Sequence, residues 1–536
     1  LTADGTGRPV IIIAPPPTPN GDLHIGHMAG PYLAGDVYAR YLRALGRRVI
    51  FTTGTDDSQT YVLASARRAG SSPEDLAATS WREIRRSLEL MGISVDGFAP
   101  FDDGYRATVR EFVDSLEAAG KFRVATVPIP YAERTGEFLM EGLVAGECPH
   151  CLSESRGGLC ETCGLPVDFG ELIDPHSTVD PAEPLTSRDA TVLVLPMEDY
   201  RDQLAAYYAA RQPYLRPHMR QLIEQALAHP LPDFPVTYPT GWGIPAAFPQ
   251  TPGQVLNAWV EGMPASMYCT YHGDGRRGEH DELWRAAHDA ELVYFLGFDN
   301  AYFWGMNHLA LLMAHEDRYI VPEMIVCNEF YELENEKFST SKGHVLWTGD
   351  LLAEVPRDLV RFYLALTCPE HQRTNFSLTG LHQVTRQRLV QPWNQLAAAL
   401  AKASANVGGD GVVLPVSDAA RAHAAALAAR FRACYELNSF SLHRAADLIA
   451  TQVARLASHA ARLSEDRSLL GDLFFEVRVL LAGAAPVLID LAAAAQAADA
   501  PGGQVSLSAL DAAEVTAFPL PVFEQTATSH PLGAQP

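Results

Sequence analysis

Residues 9–46 constrain this chain more than any other stretch, because they join a buried strand to a helix through a Pro/Gly loop that carries two histidines. Pro9-Val10-Ile11-Ile12-Ile13-Ala14 is a short β-branched run that reads as a buried strand. Residues 28–46 carry apolar side chains at helical spacing, with Gly46 placed as a C-cap. Between them lies Pro17-Thr18-Pro19-Asn20-Gly21-Asp22-Leu23-His24-Ile25-Gly26-His27. A helix start gathers free backbone N–H groups and the positive helix end, which suits a phosphate. Imidazoles placed there add hydrogen bonds to a phosphate whose charge grows as it is attacked. A lone His-x-x-His is more often a structural pair at a helix start. Here the strand before it and the Pro-x-Asn-Gly lead-in favour the phosphate site.

A second short strand over 47–53 ends in Phe51-Thr52-Thr53-Gly54-Thr55-Asp56-Asp57-Ser58. This places Asp56 at the carboxyl edge of a parallel sheet, where doubly wound folds bind ligands; an N-cap or turn role is the alternative. Residues 73–91 read as an amphipathic helix. Two Cys-x-x-Cys knuckles follow, Cys148-Pro149-His150-Cys151 and Cys160-Glu161-Thr162-Cys163. Redox pairs are the alternative, but two knuckles this close suit a closed, four-thiolate structural Zn²⁺ site, with His150 a bystander. Helical patterns broken by prolines fill 165–235. Another buried strand runs from Glu291 to Asp299, then a helix over 300–314 and a strand over 324–327. After a helix over 356–367, residues 381–498 are Ala/Leu-rich with helical spacing and read as a helix bundle, and 500–536 as a loose tail.

The chain's 536 residues suffice for three or four domains. A formal net charge of -23 argues against a general nucleic-acid-coating surface, although the acid excess lies ahead of residue 377 and the remainder is nearly neutral. With no signal-peptide-like or membrane-length apolar run, a cytoplasmic, monomeric protein without membrane contact is expected. Of its four lysines, Lys337 and Lys342 share one short loop, Glu336-Lys337-Phe338-Ser339-Thr340-Ser341-Lys342. Two solvated lysines on an exposed turn are the alternative reading of that loop.

The stretch around His24-Ile25-Gly26-His27 resembles the first signature of class I aminoacyl-tRNA synthetases, and the order of motifs is similar to that of the methionyl group. The resemblance implies an α/β, Rossmann-type doubly wound catalytic domain split by a zinc-knuckle insertion and followed by an all-α anticodon-binding-like bundle. In these terms the halves are 1–120 and 236–330, the insertion 121–235, the signature loop and linker 331–377, the bundle 378–500 and the tail 501–536. It implies ATP, Mg²⁺ and structural Zn²⁺ as cofactors, and tRNA as partner of the helical domain. His24, His27, Lys337 and Lys342 become catalytic residues. Asn20, Gly26, Gly297, Asp299, Ser339 and Ser341 become ATP-binding. Asp56 would bind the substrate's α-amino group, with Thr18, Trp259, Asn300 and Trp304 around the amino acid; Trp259 read alone is a core aromatic. Cys148, Cys151, Cys160 and Cys163 would hold the metal.

The chain departs from the family where specificity is decided. Pro16-Pro17-Thr18 replaces Leu-Pro-Tyr, Gly262-Met263 replaces Ala-Pro, Trp304 replaces a histidine, Asn300 replaces an apolar residue, and Thr340 replaces the second signature lysine. No tryptophan follows Trp393, so the family's anticodon tryptophan has no counterpart. Two functions stay open: a tRNA-charging enzyme with a variant methionine pocket, and a paralogue that activates a smaller or more polar amino acid for a non-tRNA acceptor. A non-enzymatic RNA-binding protein would not need His24, His27, Asp56 and Lys337 together.

Overall fold

The structure, a computed structural model, describes residues 7–338, 343–463, 467–499, 507 and 510–524. It divides into two compact units, Leu1–Tyr331 with Pro369–Thr374, and Glu332–Cys368 with Asn375–Pro536.

The first unit is built on a four-stranded parallel sheet in the order Met324–Asn328, Glu291–Gly297, Val10–Ile13, Val49–Thr52. Val10–Ile13 is buried throughout, as a parallel strand covered on both faces requires. From this central strand the chain proceeds to Val49–Thr52 on one side, and Glu291–Gly297 joins on the other. The carboxyl ends of the two middle strands therefore flank a topological switch point, where an open α/β sheet leaves its ligand crevice. The expected doubly wound core is present.

The helix expected over 28–46 is interrupted. Ile25–His27 is α-helical, Met28–Tyr32 forms a π-turn and Leu33–Ala44 resumes the α-helix. Pro31 lies inside the wide turn, and the Leu33 N–H reaches back to the Met28 carbonyl. Proline lacks the N–H that a regular helix would use there. Gly46 follows the helix with φ 76°, a left-handed end that needs glycine. A second π-turn, Phe303–Asn307, precedes helix His308–Ala314, in place of the continuous helix expected over 300–314. Such turns recur at functional sites.

Between the halves of the sheet lies an element that the sequence reading missed. Arg123–Ala132 and Leu185–Leu195 pair antiparallel along their length, flanked by Glu137–Phe138 and Phe234–Pro235. Pro128 and Pro130 disguised the first strand. The Leu139 N–H donates to Pro130 O at 2.8 Å, so the proline nitrogens face the side paired only at residues 131 and 132, away from the long partner.

The second unit is mainly helical: Leu378–Thr385, Gln391–Ala405, Asp418–Tyr435, Leu442–Ala460, Arg467–Ala484 and Ile489–Ala498 follow Arg357–Leu366. The loose tail expected from 501 is not loose over 510–524. Glu514–Thr516 pairs with Val413–Pro415. The Trp393 indole N–H donates to Pro521 O at 2.7 Å, and Asn394 pairs with the backbone of Phe523. Buried Phe518 supplies the apolar anchor that composition concealed. Among the described residues, no helix is long and apolar enough to cross a membrane.

Candidate active site

The loop leaving Val10–Ile13 presents the two histidines at the switch point. His24 is the N-cap of the short helix and its backbone N–H donates to His27 Nδ1 at 3.3 Å. The two rings stack with centroids 3.8 Å apart. That hydrogen bond leaves the proton of a neutral His27 on Nε2, where it is available as a donor. Burial, and for His24 the neighbouring His27, oppose the charged form. His24 is held well below the usual histidine range and His27 is lowered to about 4. Both are therefore neutral at physiological pH.

The next loop is tied to this one. The Asp56 N–H donates to Pro17 O at 3.1 Å, while Thr53 and Tyr32 hydroxyls both donate to Pro15 O. Helix Thr60–Ala69 takes Gln59 as its N-cap, so Asp56 is not one. Instead the Gln59 amide donates to Asp56 Oδ2 at 2.7 Å, and Oδ1 stays buried with no hydrogen-bond partner.

Two further acids come to the same place, and neither was named from the sequence. Glu261, fully buried on helix Ala258–Gly273, accepts the Tyr105 hydroxyl at 2.8 Å through Oε1, and its Oε2 has no partner of good geometry. The buried Ser58 hydroxyl lies close enough to favour its charged form. Glu141, from the insertion, accepts the Trp259 indole N–H at 3.1 Å. It stands at φ 45°, a backbone region that non-glycine residues rarely adopt. Gly142 beside it admits the approach, since a Cβ there would lie 2.4 Å from the Tyr61 nitrogen. Burial raises Asp56 well above the carboxylate range, helped by the charges of Glu261, Glu141 and Asp57. Burial likewise raises Glu141 and Glu261 to about 7 and Asp57 to about 6. A carboxylate within an otherwise apolar helix start, Ala258-Trp259-Val260-Glu261-Gly262, was the sequence signal for Glu261; Glu141 left none.

Half-buried Trp259 stacks on Phe303 at 3.9 Å. Trp304, expected to border the amino acid, is 1% exposed and belongs to the core. Asn300 and Thr18 are half-buried, and Asn20 is exposed in the loop. Gly26 lies in the short helix. Gly297 ends its strand, and a Cβ there would meet Asp299 Oδ1 at 2.5 Å, so a side chain would displace that carboxylate.

Cys148, Cys151, Cys160 and Cys163 converge with all four Sγ atoms within 4.8 Å of one another, and none is in a disulfide. Four thiolates around one Zn²⁺ at about 2.3 Å sit roughly 3.8 Å apart, so this cluster fits the ion. The knuckle also supports the site. Gly164 (φ 75°) lies against Phe298, and a Cβ on Gly158 would fall 3.3 Å from Glu141 Oε1.

Lys337 is exposed on the two-residue strand Glu336–Lys337 in the second unit, paired with Tyr331–Leu333. Ser339, Thr340, Ser341 and Lys342 lie outside the described residues.

Residues 10–400 match the family described as tRNA synthetases class I (M). A methionine--tRNA ligase of Thermomicrobium roseum is 30% identical over 384 residues, covering 71% of this chain and 65% of that protein. One of Chlorobium limicola is 31% identical over 385 residues, covering 70% and 55%. The chain thus spans 65% and 55% of these relatives' own lengths. The structure of Mycobacterium tuberculosis methionyl-tRNA synthetase bound by methionyl-adenylate superposes with a TM-score of 0.76 at 22% identity, over 96% of this chain and 99% of that one, a likeness of fold.

Proposed function

The chain belongs to the class I tRNA synthetases of the methionyl group, and from that membership we propose that it activates an amino acid with ATP and transfers it to tRNA. The observation that carries the first step is the neutral, stacked pair His24 and His27 at the switch point, with the Asp56 loop bound to the same strand-end loop. In the proposed reaction a carboxylate oxygen of the amino acid attacks the α-phosphorus of ATP. The bond to the pyrophosphate oxygen breaks, and aminoacyl adenylate and pyrophosphate form. The histidines donate hydrogen bonds to the phosphate as its charge develops. Asp56 holds the α-ammonium group and so sets the carboxylate in line. Asn20, Gly26, Gly297 and Asp299 receive the nucleotide, and Mg²⁺ bound to it would offset part of the triphosphate charge. ATP–pyrophosphate exchange dependent on an added amino acid tests this reading; its absence with every amino acid would overturn it.

The lysine loop is assigned to the leaving pyrophosphate, with Ser339 and Ser341 as further ligands. Lys337→Ala is expected to slow exchange more than Lys342→Ala. The reverse order would give the functional charge to Lys342.

The four-cysteine cluster is proposed as a structural zinc site, and metal analysis should find about one Zn²⁺ per chain. Because the knuckle supports Glu141 and Phe298, chelation is expected to weaken amino-acid use more than ATP use. Equal loss of both, or protein that folds fully and works without zinc, would count against it.

Transfer to a non-tRNA acceptor remains as a second reading because of one residue. Trp393, the last tryptophan, is buried with its indole N–H bound to Pro521 O, so it cannot serve as an exposed base-stacking residue. Labelled amino acid recovered on tRNA would favour the first reading, and adenylate without such transfer the second.

A further inference from the structure

The residues that replace the family's pocket wall are packed on one another. The Trp304 indole meets Tyr294 edge-on at 5.3 Å and His308 at 4.5 Å. A Cβ on Gly262 would already be 3.7 Å from the Trp304 ring and 3.2 Å from His308. Met263 is fully buried, with the Tyr294 hydroxyl 3.9 Å from its sulfur. The His308 ring nitrogen Nε2 binds Trp259 O at 2.5 Å, which fixes this wall to the Trp259 turn. Around Trp304, protein atoms stand at contact distance. Interiors this dense do not absorb extra methylenes without displacing neighbours.

The polar end is the reverse. Asp56 Oδ1 and Glu261 Oε2 are buried and have no hydrogen-bond partner of good geometry, with the Ser58 hydroxyl close to Glu261, and the charge of Glu261 acts on Asp56. Their other oxygens are taken by Gln59 and Tyr105, which hold the two carboxylates in place. Two buried acids are costly even with the charge of Arg106 acting on Glu261, and an ammonium group with three donors offsets that cost.

Resting on the amino-acid activation reading, we propose that this site takes an amino acid with a short side chain, of the size of glycine, alanine or serine, recognised chiefly through an α-ammonium group held between Asp56 and Glu261. Trp304 is the specificity-determining residue that excludes longer side chains. Glu261 is a second ammonium ligand beside Asp56.

The test is direct binding of glycine, alanine, serine and methionine to the full chain by titration calorimetry, in the presence of a non-hydrolysable ATP analogue. At least one short amino acid is expected to bind about 10-fold or more tightly than methionine. Trp304→Ala is expected to shift that ratio toward methionine by about 10-fold, and Trp304→His, which keeps an aromatic ring, in the same direction. Glu261→Gln should weaken binding of the short amino acid without changing that of the nucleotide analogue. Tighter binding of methionine than of all three short amino acids would overturn the proposal; this wild-type comparison decides even if a variant fails to fold. Pyrophosphate exchange is measured separately. Its absence with every amino acid would overturn the activation reading, whereas the binding order judges the pocket.

Discussion

Replacing His27 by alanine is expected to slow amino-acid-dependent pyrophosphate exchange by about 10²-fold or more, the range for losing one donor to a developing charge. His24→Ala should lose a similar factor. Each ring also positions the other: His27 accepts the His24 backbone N–H, and the rings stack at 3.8 Å. The double variant is therefore expected to lose less than the product of the single effects. The pH profile separates donation from charge attraction. Burial lowers both pKa values, so both rings have already lost their second proton well below the usual 6.5. Exchange should accordingly show no histidine limb near pH 6.5 attributable to this pair, and a gain in rate on protonation there would contradict neutral donors. An undiminished rate in both single variants would remove the catalytic assignment.

The second large effect is expected from Asp56→Asn, which should raise the amino-acid KM by about 10²-fold or more while leaving the KM for ATP nearly unchanged. The amide keeps the shape and removes the charge. Since Asp56 is buried near Glu261, Glu141 and Asp57 with Oδ1 unpartnered, the unliganded variant should be at least as heat-stable as the parent. The pH dependence has a definite sign. A carboxyl group raised above its unfolded value favours folding at low pH, and that contribution is lost as pH rises toward the folded pKa. For Glu141 and Glu261 that window runs from the ordinary value of 4.5 to about 7. An ammonium ligand favours the ionised form. Bound amino acid should therefore raise Tm more at pH 8 than at pH 6, and its KM should rise as pH falls below about 7. Arg106 acts on both Asp57 and Glu261, Gln59 donates to Asp56 and Tyr105 to Glu261, so the transition belongs to the group and not to one residue. A thermal shift independent of pH over this range would argue against an ammonium ligand at these acids.

What the sequence determined by itself were features whose cause is local. A run of β-branched residues makes a buried strand wherever it is covered. Four cysteines at knuckle spacing meet because two short turns bring them together, and helical spacing in 381–498 needs only its own periodicity. The His24-Ile25-Gly26-His27 stretch and the order of motifs along the chain carried the family resemblance, which the match over residues 10–400 bears out. What only the tertiary structure decided depends on partners distant in the chain. Glu261 is a buried acid because Tyr105, 156 residues away, receives it, and Glu141 meets Trp259 across 118 residues. Trp304 is buried because Tyr294, on the preceding strand, and His308, one turn on, close around its ring. The strand Arg123–Ala132 was hidden because its prolines matter only according to which side its partner lies. Local propensity is set by a residue and its near neighbours, whereas burial, the energy of a charge and the room left for a ligand are set by whatever the fold places within a few ångströms, and that is not written in any one stretch of chain.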